Sequence, residues 1–177
     1  MNNTTENAAL LPNLTGATHT LSVYVNNQPG VLMRICQVFA RRGYNIDSLV
    51  VSQGRSKEFS RMTIGFSGDS TGIEQIIKQV YKLVDVIHCY EHTSENAVVQ
   101  EMLLIKFIVS AKDRIEALQI IDHFSGKTVD ITPTSMVSVI HGGSQKIDAA
   151  IRMLSQFEIV ETVRTGKVVM ARGEQMT

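Results

Sequence analysis

Leu21-Ser22-Val23-Tyr24-Val25-Asn26-Asn27-Gln28-Pro29-Gly30-Val31-Leu32 alternates apolar residues at 21, 23 and 25, then breaks at a polar loop. A helical pattern follows and runs to Arg42-Gly43-Tyr44-Asn45-Ile46. Period-two alternation predicts a strand with one buried face. Val31, Ile35, Val38 and Phe39 fall on one face of a helix. The loop between them opens a helix, and a helix start leaves about four backbone N–H groups without partners beside a partial positive charge. Gly30 has no Cβ, so an anion can approach that backbone closely. With Asn26 and Asn27 as polar handles and Val31 and Leu32 adjacent, the loop suits an apolar amino acid bound by its carboxylate. Pro and Gly are also ordinary residues at a helix boundary, so spacing alone does not separate a binding loop from a plain cap.

Working outward, Gly43 sits where a helix ends in a left-handed residue. A strand from Tyr44 to Gln53 follows, then a turn at Gly54-Arg55-Ser56-Lys57-Glu58. The strand Ser60 to Phe66 alternates Met62, Ile64 and Phe66 with Arg61, Thr63 and Gly65. Thr71-Gly72-Ile73-Glu74 reads as a capping box, with Ile73, Ile76, Ile77 and Val80 as the apolar stripe behind it. A strand from Asp85 to Glu91 closes the unit, and the order βαββαβ is ferredoxin-like.

The order then repeats at a period of about 80 residues. A strand from Met102 to Val109 leads to a helix with Ala117, Leu118, Ile121 and Phe124 inward, ended by Gly126. Strands Thr128 to Thr132 and Met136 to His141 come next. Ser144 then caps a helix striped by Ile147, Ala150, Ile151 and Leu154, before a strand Glu158 to Arg164 that Val168 to Met170 extends. The reading is an α+β chain of two tandem ferredoxin-like units, residues 19–93 and 98–173, behind a disordered tail at 1–18. Where the first unit has Asn27-Gln28-Pro29-Gly30, the second has Ser110-Ala111-Lys112-Asp113. An acid at a helix start competes for the donors a ligand carboxylate needs, so the two units should differ in job.

Composition removes several classes. The chain has 177 residues, 17 basic and 17 acidic, so no net field draws it to nucleic acid or an anionic membrane. No apolar run approaches the roughly 20 residues of a membrane span. Cys36 and Cys89 lack metal or disulfide spacing and read as buried free thiols, which fits a reducing, cytoplasmic setting. The tail has no basic start with an apolar core and lacks Arg, unlike a secretory or organellar leader. His88 and His92 stand four apart on and just beyond a strand, without a third ligand, so no metal is expected. No catalytic nucleophile, Cys/His pair or carboxylate pair appears. Arg41 and Arg42 complement a helix dipole. An RNA-binding sheet would need exposed stacking aromatics in basic surroundings, and the strand carrying Met62, Ile64 and Phe66 does not supply them.

Taken in order, the first stretch, the run Arg42 to Leu49, Ser60-Arg61-Met62-Thr63-Ile64, Lys82-Leu83-Val84-Asp85-Val86, Val129-Asp130-Ile131-Thr132-Pro133 and Arg164-Thr165-Gly166 resemble one family. The first unit is similar to an ACT domain, and the whole from Thr20 to Gly173 resembles the regulatory, or small, subunit of acetolactate synthase (acetohydroxyacid synthase). That resemblance implies a homodimer without a catalytic site of its own. It also implies binding of valine, leucine or isoleucine at an ACT–ACT interface. The partner would be a catalytic large subunit carrying thiamine diphosphate, Mg2+ and FAD, activated by this chain and made sensitive to feedback inhibition. The reaction joins two pyruvates, or pyruvate and 2-oxobutyrate, in branched-chain amino acid biosynthesis. On this chain, Asn27, Pro29 and the backbone of Gly30, Val31 and Leu32 match the loop that holds the effector, and Asn45 and Ile46 match the contribution of the second protomer. A free-standing amino-acid sensor acting on another enzyme is the nearest competing class.

Overall fold

The computed structural model describes residues 17–175 and 177. The first unit comprises β1 (Ala17–Asn26), α1 (Val31–Arg41), β2 (Ile46–Gln53), β3 (Phe59–Gly68), α2 (Ser70–Val80) and β4 (Val86–Glu91). Its antiparallel sheet runs β2-β3-β1-β4. Leu21 pairs with Ile64 and Val23 with Met62, so the two alternating patterns share one sheet face. That face is covered by Val31, Ile35 and Phe39 of α1 and Ile73, Ile76 and Val80 of α2, with Cys89 from β4.

Ala17 and Thr18, assigned to the tail from sequence, belong to β1, where they pair with Gly68 and Ser67. Backbone ladder bonds carry the strand past its last apolar residue, which side-chain alternation does not register. The rest of the expected tail, 1–16, lies outside the described residues.

α1 ends as the sequence predicts. Gly43 is left-handed at φ 72, its N–H reaches Ala40 O at 3.1 Å, and Tyr44 N–H reaches Phe39 O at 3.1 Å. These paired bonds satisfy carbonyls that the helix leaves open. The start of α2 differs from the expected capping box. Asp69 is the N-cap and accepts from Gly72 N at 3.1 Å, so the helix begins one residue before Thr71. A carboxylate at that place also complements the helix dipole.

The second repeat comprises β5 (Ala97–Ile108), α3 (Arg114–His123), β6 (Lys127–Ile131), β7 (Ser135–Gly142), α4 (Ser144–Leu154), β8 (Glu158–Arg164) and β9 (Val168–Ala171). Its sheet runs β6-β7-β5-β8, and β9 pairs with β5. Leu103, Ile105, Phe107, Met136 and Ile140 face Ala117, Ile120 and Ile121 of α3 and Ile147, Ala150, Ile151 and Leu154 of α4. By contacts the chain divides into Gln100–Thr165 and a second body that joins 17–99 to Gly166–Thr177. By this division Gly166–Thr177, β9 included, groups with 17–99, while β9 itself takes its ladder partner from β5.

Three local expectations in this repeat change. Leu118 is 36% exposed, and Ile120, not Leu118, joins Ala117 and Ile121 in the core. Past the C-cap Phe124 of α3, the left-handed residue is Ser125, φ 52, and not the expected Gly126. Gly126 is needed for room: a Cβ there would lie 2.8 Å from Ile140 Cγ1 and 3.0 Å from Val139 O. Ser144 is the first residue of α4, not its cap. Gly143 holds the N-cap position, and the Ser144 hydroxyl donates to the buried Glu101 carboxylate instead.

Candidate functional site

The loop from β1 to α1 is fixed by backbone bonds on both sides. Asn26 N donates to Asp85 O (2.9 Å), Asn27 N to Glu58 O (2.7 Å) and Gln28 N to Asn26 O (3.0 Å). The Asn27 side-chain amide donates to Lys57 O at 2.9 Å, which directs its N–H side to the β2–β3 turn. Gly30 is the N-cap of α1 in the left-handed region, φ 86, where side chains other than Gly are strained. Having no side chain, it caps nothing, and the first turn of α1 carries no acid.

Among the described residues, no protein acceptor meets the N–H groups of Gly30, Leu32 or Met33. Leu32 and Met33 are 36% and 64% exposed. Val31 plays a different part from the one expected. Its N–H turns toward Gln28 O at 3.4 Å and its side chain is in the core. Pro29 is exposed and contributes no N–H. The start of α1 is thus an electropositive, uncapped helix end open to solvent.

Asn45 and Ile46 are not part of that cluster within one chain. They follow Gly43 at the far end of α1, whose eleven residues span about 16 Å. Asn45 is exposed, with Nδ2 3.4 Å from Asp47 Oδ1, and Ile46 pairs with Phe66 at the start of β2.

Two residues that the pattern did not single out complete the loop. Arg34 Nη2 donates to Asp85 Oδ2 at 2.5 Å, and Arg34 Nη1 lies 3.3 Å from where a Cβ on Gly30 would stand. The Asp85 side chain is 9% exposed and that of Arg34 44%. Their partnership joins positions 51 apart in sequence, so no local motif announces it.

Other constellations resolve differently. Ser22 Oγ and His92 Nε2 stand 2.7 Å apart, yet Ser22 is 2% exposed in the middle of β1, where no substrate reaches its hydroxyl. Met62, Ile64 and Phe66 all face the core, so they say nothing of the sheet's other face. The opposite face carries Tyr24 stacked on His88 (6.2 Å between ring centres), His88 stacked on Tyr90 (5.9 Å), and Phe59 beside Tyr24 (5.3 Å). Aromatic rings are therefore present on that face, although the balanced charge of the chain is unchanged. Arg42 donates to Gln75, which ties the end of α1 to α2.

Two family models divide the chain between them. One described as an AHAS small subunit-like ACT domain matches residues 21–88, and one described as the small subunit of acetolactate synthase matches 100–173. The acetolactate synthase small subunit of Mycobacterium bovis is 40% identical over 156 residues, 88% of this chain and 93% of the relative. This chain belongs to the acetolactate synthase small-subunit family. A probable acetolactate synthase small subunit of Archaeoglobus fulgidus is also 40% identical, over 89% of this chain and 98% of the relative. The crystal structure of the small subunit from Thermotoga maritima superimposes with a TM-score of 0.80 at 38% identity, covering 90% of this chain and 99% of that one. Within this small-subunit fold the first repeat is the ACT domain, and the uncapped start of α1 lies in it.

Proposed function

We propose that this chain is the regulatory subunit of an acetolactate synthase and that its ACT domain is the sensor for a branched-chain amino acid. Family membership supports the regulatory role and a catalytic large subunit as partner. The observation that carries the sensor reading is the start of α1, a left-handed glycine with no cap, no first-turn acid and open amides. The effector's carboxylate sits on the N–H groups around Gly30 and Leu32. The Asn27 side-chain oxygen, set by the bond its amide makes to Lys57 O, accepts from the effector's ammonium.

Asn45 and Ile46 reach the effector from a second copy of the chain, since in one chain they lie at the other end of α1. The site is then shared across a homodimer, and occupancy alters how the two copies meet. Selection among valine, leucine and isoleucine is loose, because one methylene is worth about 1–3 kcal/mol in an apolar pocket. Coupling of about 1–3 kcal/mol to the large subunit suffices for feedback control. Acetolactate formation takes place on the large subunit, where thiamine diphosphate, Mg2+ and FAD reside, and this chain contributes activation and inhibition.

The test is an acetolactate assay of the cognate large subunit with and without this chain, titrated with valine, leucine and isoleucine. Activation by the chain and saturable inhibition only in its presence are expected. An unchanged rate, or equal inhibition without the chain, would overturn the proposal.

A further inference from the structure

The start of α1 carries a feature that its capping does not explain. A helix N-terminus is already electropositive, and a cation in its first turns is unfavourable unless an anion offsets it. Arg34 nonetheless turns its guanidinium back toward the loop, as long helical side chains do, and reaches Gly30. Asp85 offsets part of the charge through one guanidinium nitrogen, Nη2, while Nη1 stands over Gly30 with the side chain 44% exposed. Guanidinium has five donors in a planar fork, so binding Asp85 leaves donors that fit a second carboxylate.

We infer that Arg34 is a binding residue of the effector site, its guanidinium gripping the effector carboxylate together with the amides at Gly30 and Leu32. Asp85 is the positioning residue. Its buried carboxylate holds the guanidinium, and its backbone carbonyl holds Asn26 N at 2.9 Å, so one residue fixes both the arginine and the root of the loop. This rests on the sensor reading above and sharpens it. The site demands a carboxylate charge, and an amino acid amide with the same side chain should be rejected. Gly30 suits its left-handed backbone, and a Cβ there would stand 3.3 Å from Arg34 Nη1, so that a substitution would shift the guanidinium.

Calorimetry on the full chain, with valine and with valinamide, separates the possibilities. Wild type should bind valine in preference to valinamide. Arg34→Gln should weaken valine by about tenfold or more, as loss of a charge-assisted bond predicts, while valinamide changes little. Arg34→Lys should recover part of the loss, since it restores charge without the fork. Asp85→Asn should fall between wild type and Arg34→Gln. If Arg34→Gln does not fold, the lysine variant carries the test, with a several-fold loss confined to valine expected.

Valine affinity unchanged in either arginine variant, or valine and valinamide weakened in parallel, would overturn the role of Arg34 and leave the sensor reading standing. A wild-type chain that binds neither valine, leucine nor isoleucine would overturn both.

Discussion

The Tyr44 hydroxyl donates to Asp69 Oδ1 at 2.7 Å, linking the residue after the left-handed Gly43 to the residue that caps α2. The Tyr44 ring lies over Gly68 and Gly72, where a Cβ on Gly72 would stand 1.5 Å from the hydroxyl oxygen. Gly72→Ala should therefore displace Tyr44 and destabilise the domain by about 1–3 kcal/mol, the usual cost of overpacking. In a Tyr44→Ala background the same substitution should cost much less. A double-mutant cycle by denaturant unfolding measures the difference, and additive effects would contradict the packing described.

Gly30→Asp should abolish effector binding, because it brings both a carboxylate and a side chain into the space beside Arg34. Gly30→Ala separates the two effects. Either residue in the left-handed region costs roughly 1–2 kcal/mol of stability, but only the aspartate adds repulsion toward the effector. Calorimetric titration with valine should show weakened binding for alanine and none for aspartate. Equal affinities would place the carboxylate elsewhere.

Arg164 holds the buried Glu101 carboxylate through Nε and Asp148 Oδ1 through Nη1 at 2.7 Å, while Ser144 also donates to Glu101. Glu101 is 5% exposed. Arg164→Met strands that carboxylate and should lower unfolding free energy by about 3–5 kcal/mol. Arg164→Met combined with Glu101→Leu should recover a large part of the loss, because the only carboxylate left without the arginine is then Asp148, whose side chain is 33% exposed and can be solvated. Failure of the second substitution to recover stability in chemical unfolding would count against the ion cluster as the cause.

His92 is 8% exposed, and burial holds its pKa below the ordinary 6.5. Arg61 pushes in the same direction, and the bond to Asn96 opposes it. As pH falls through 6.5, the unfolded chain takes up a proton that the folded chain refuses, so stability present above that value is lost. Melting temperature should fall more steeply between about pH 7 and pH 5 in wild type than in His92→Gln. Parallel slopes would assign the acid sensitivity to other groups.

Cys89 is 4% exposed, and burial pushes its thiol pKa up to about 12. Only a thiolate alkylates readily, so iodoacetamide near neutral pH should leave Cys89 unmodified until the protein is unfolded. Mass spectrometry of peptides before and after denaturant reads this directly. Native-state labelling of Cys89 would contradict its burial.

The element order and most core residues were legible because each amphipathic pattern has one clear period: 21, 23 and 25 on β1, or 147, 150, 151 and 154 on α4. What was missed is non-local or backbone-borne. Asp69 rather than Thr71 caps α2 because the chain enters that helix two residues earlier than the capping box implies, a matter of dihedral angles. Ser125 rather than Gly126 takes the left-handed turn, while Gly126 leaves clearance beside Ile140, a contact that local pattern does not reveal. The aromatic face of Tyr24, His88 and Tyr90 was hidden because alternation tells which residues share a face, not which face the helices cover. In the candidate site, the glycine loop could be read from Pro29-Gly30. Arg34 could not, since its meaning depends on Asp85, which only the folded chain brings beside it.

The most direct measurement is amide NMR of the labelled chain during a valine titration. The Gly30, Leu32 and Met33 resonances should shift together and saturate at one concentration, with Arg34 side-chain signals following the same curve. Saturable binding that leaves those amides unmoved while others shift would mean the effector sits elsewhere, and the open start of α1 is only a solvated helix end.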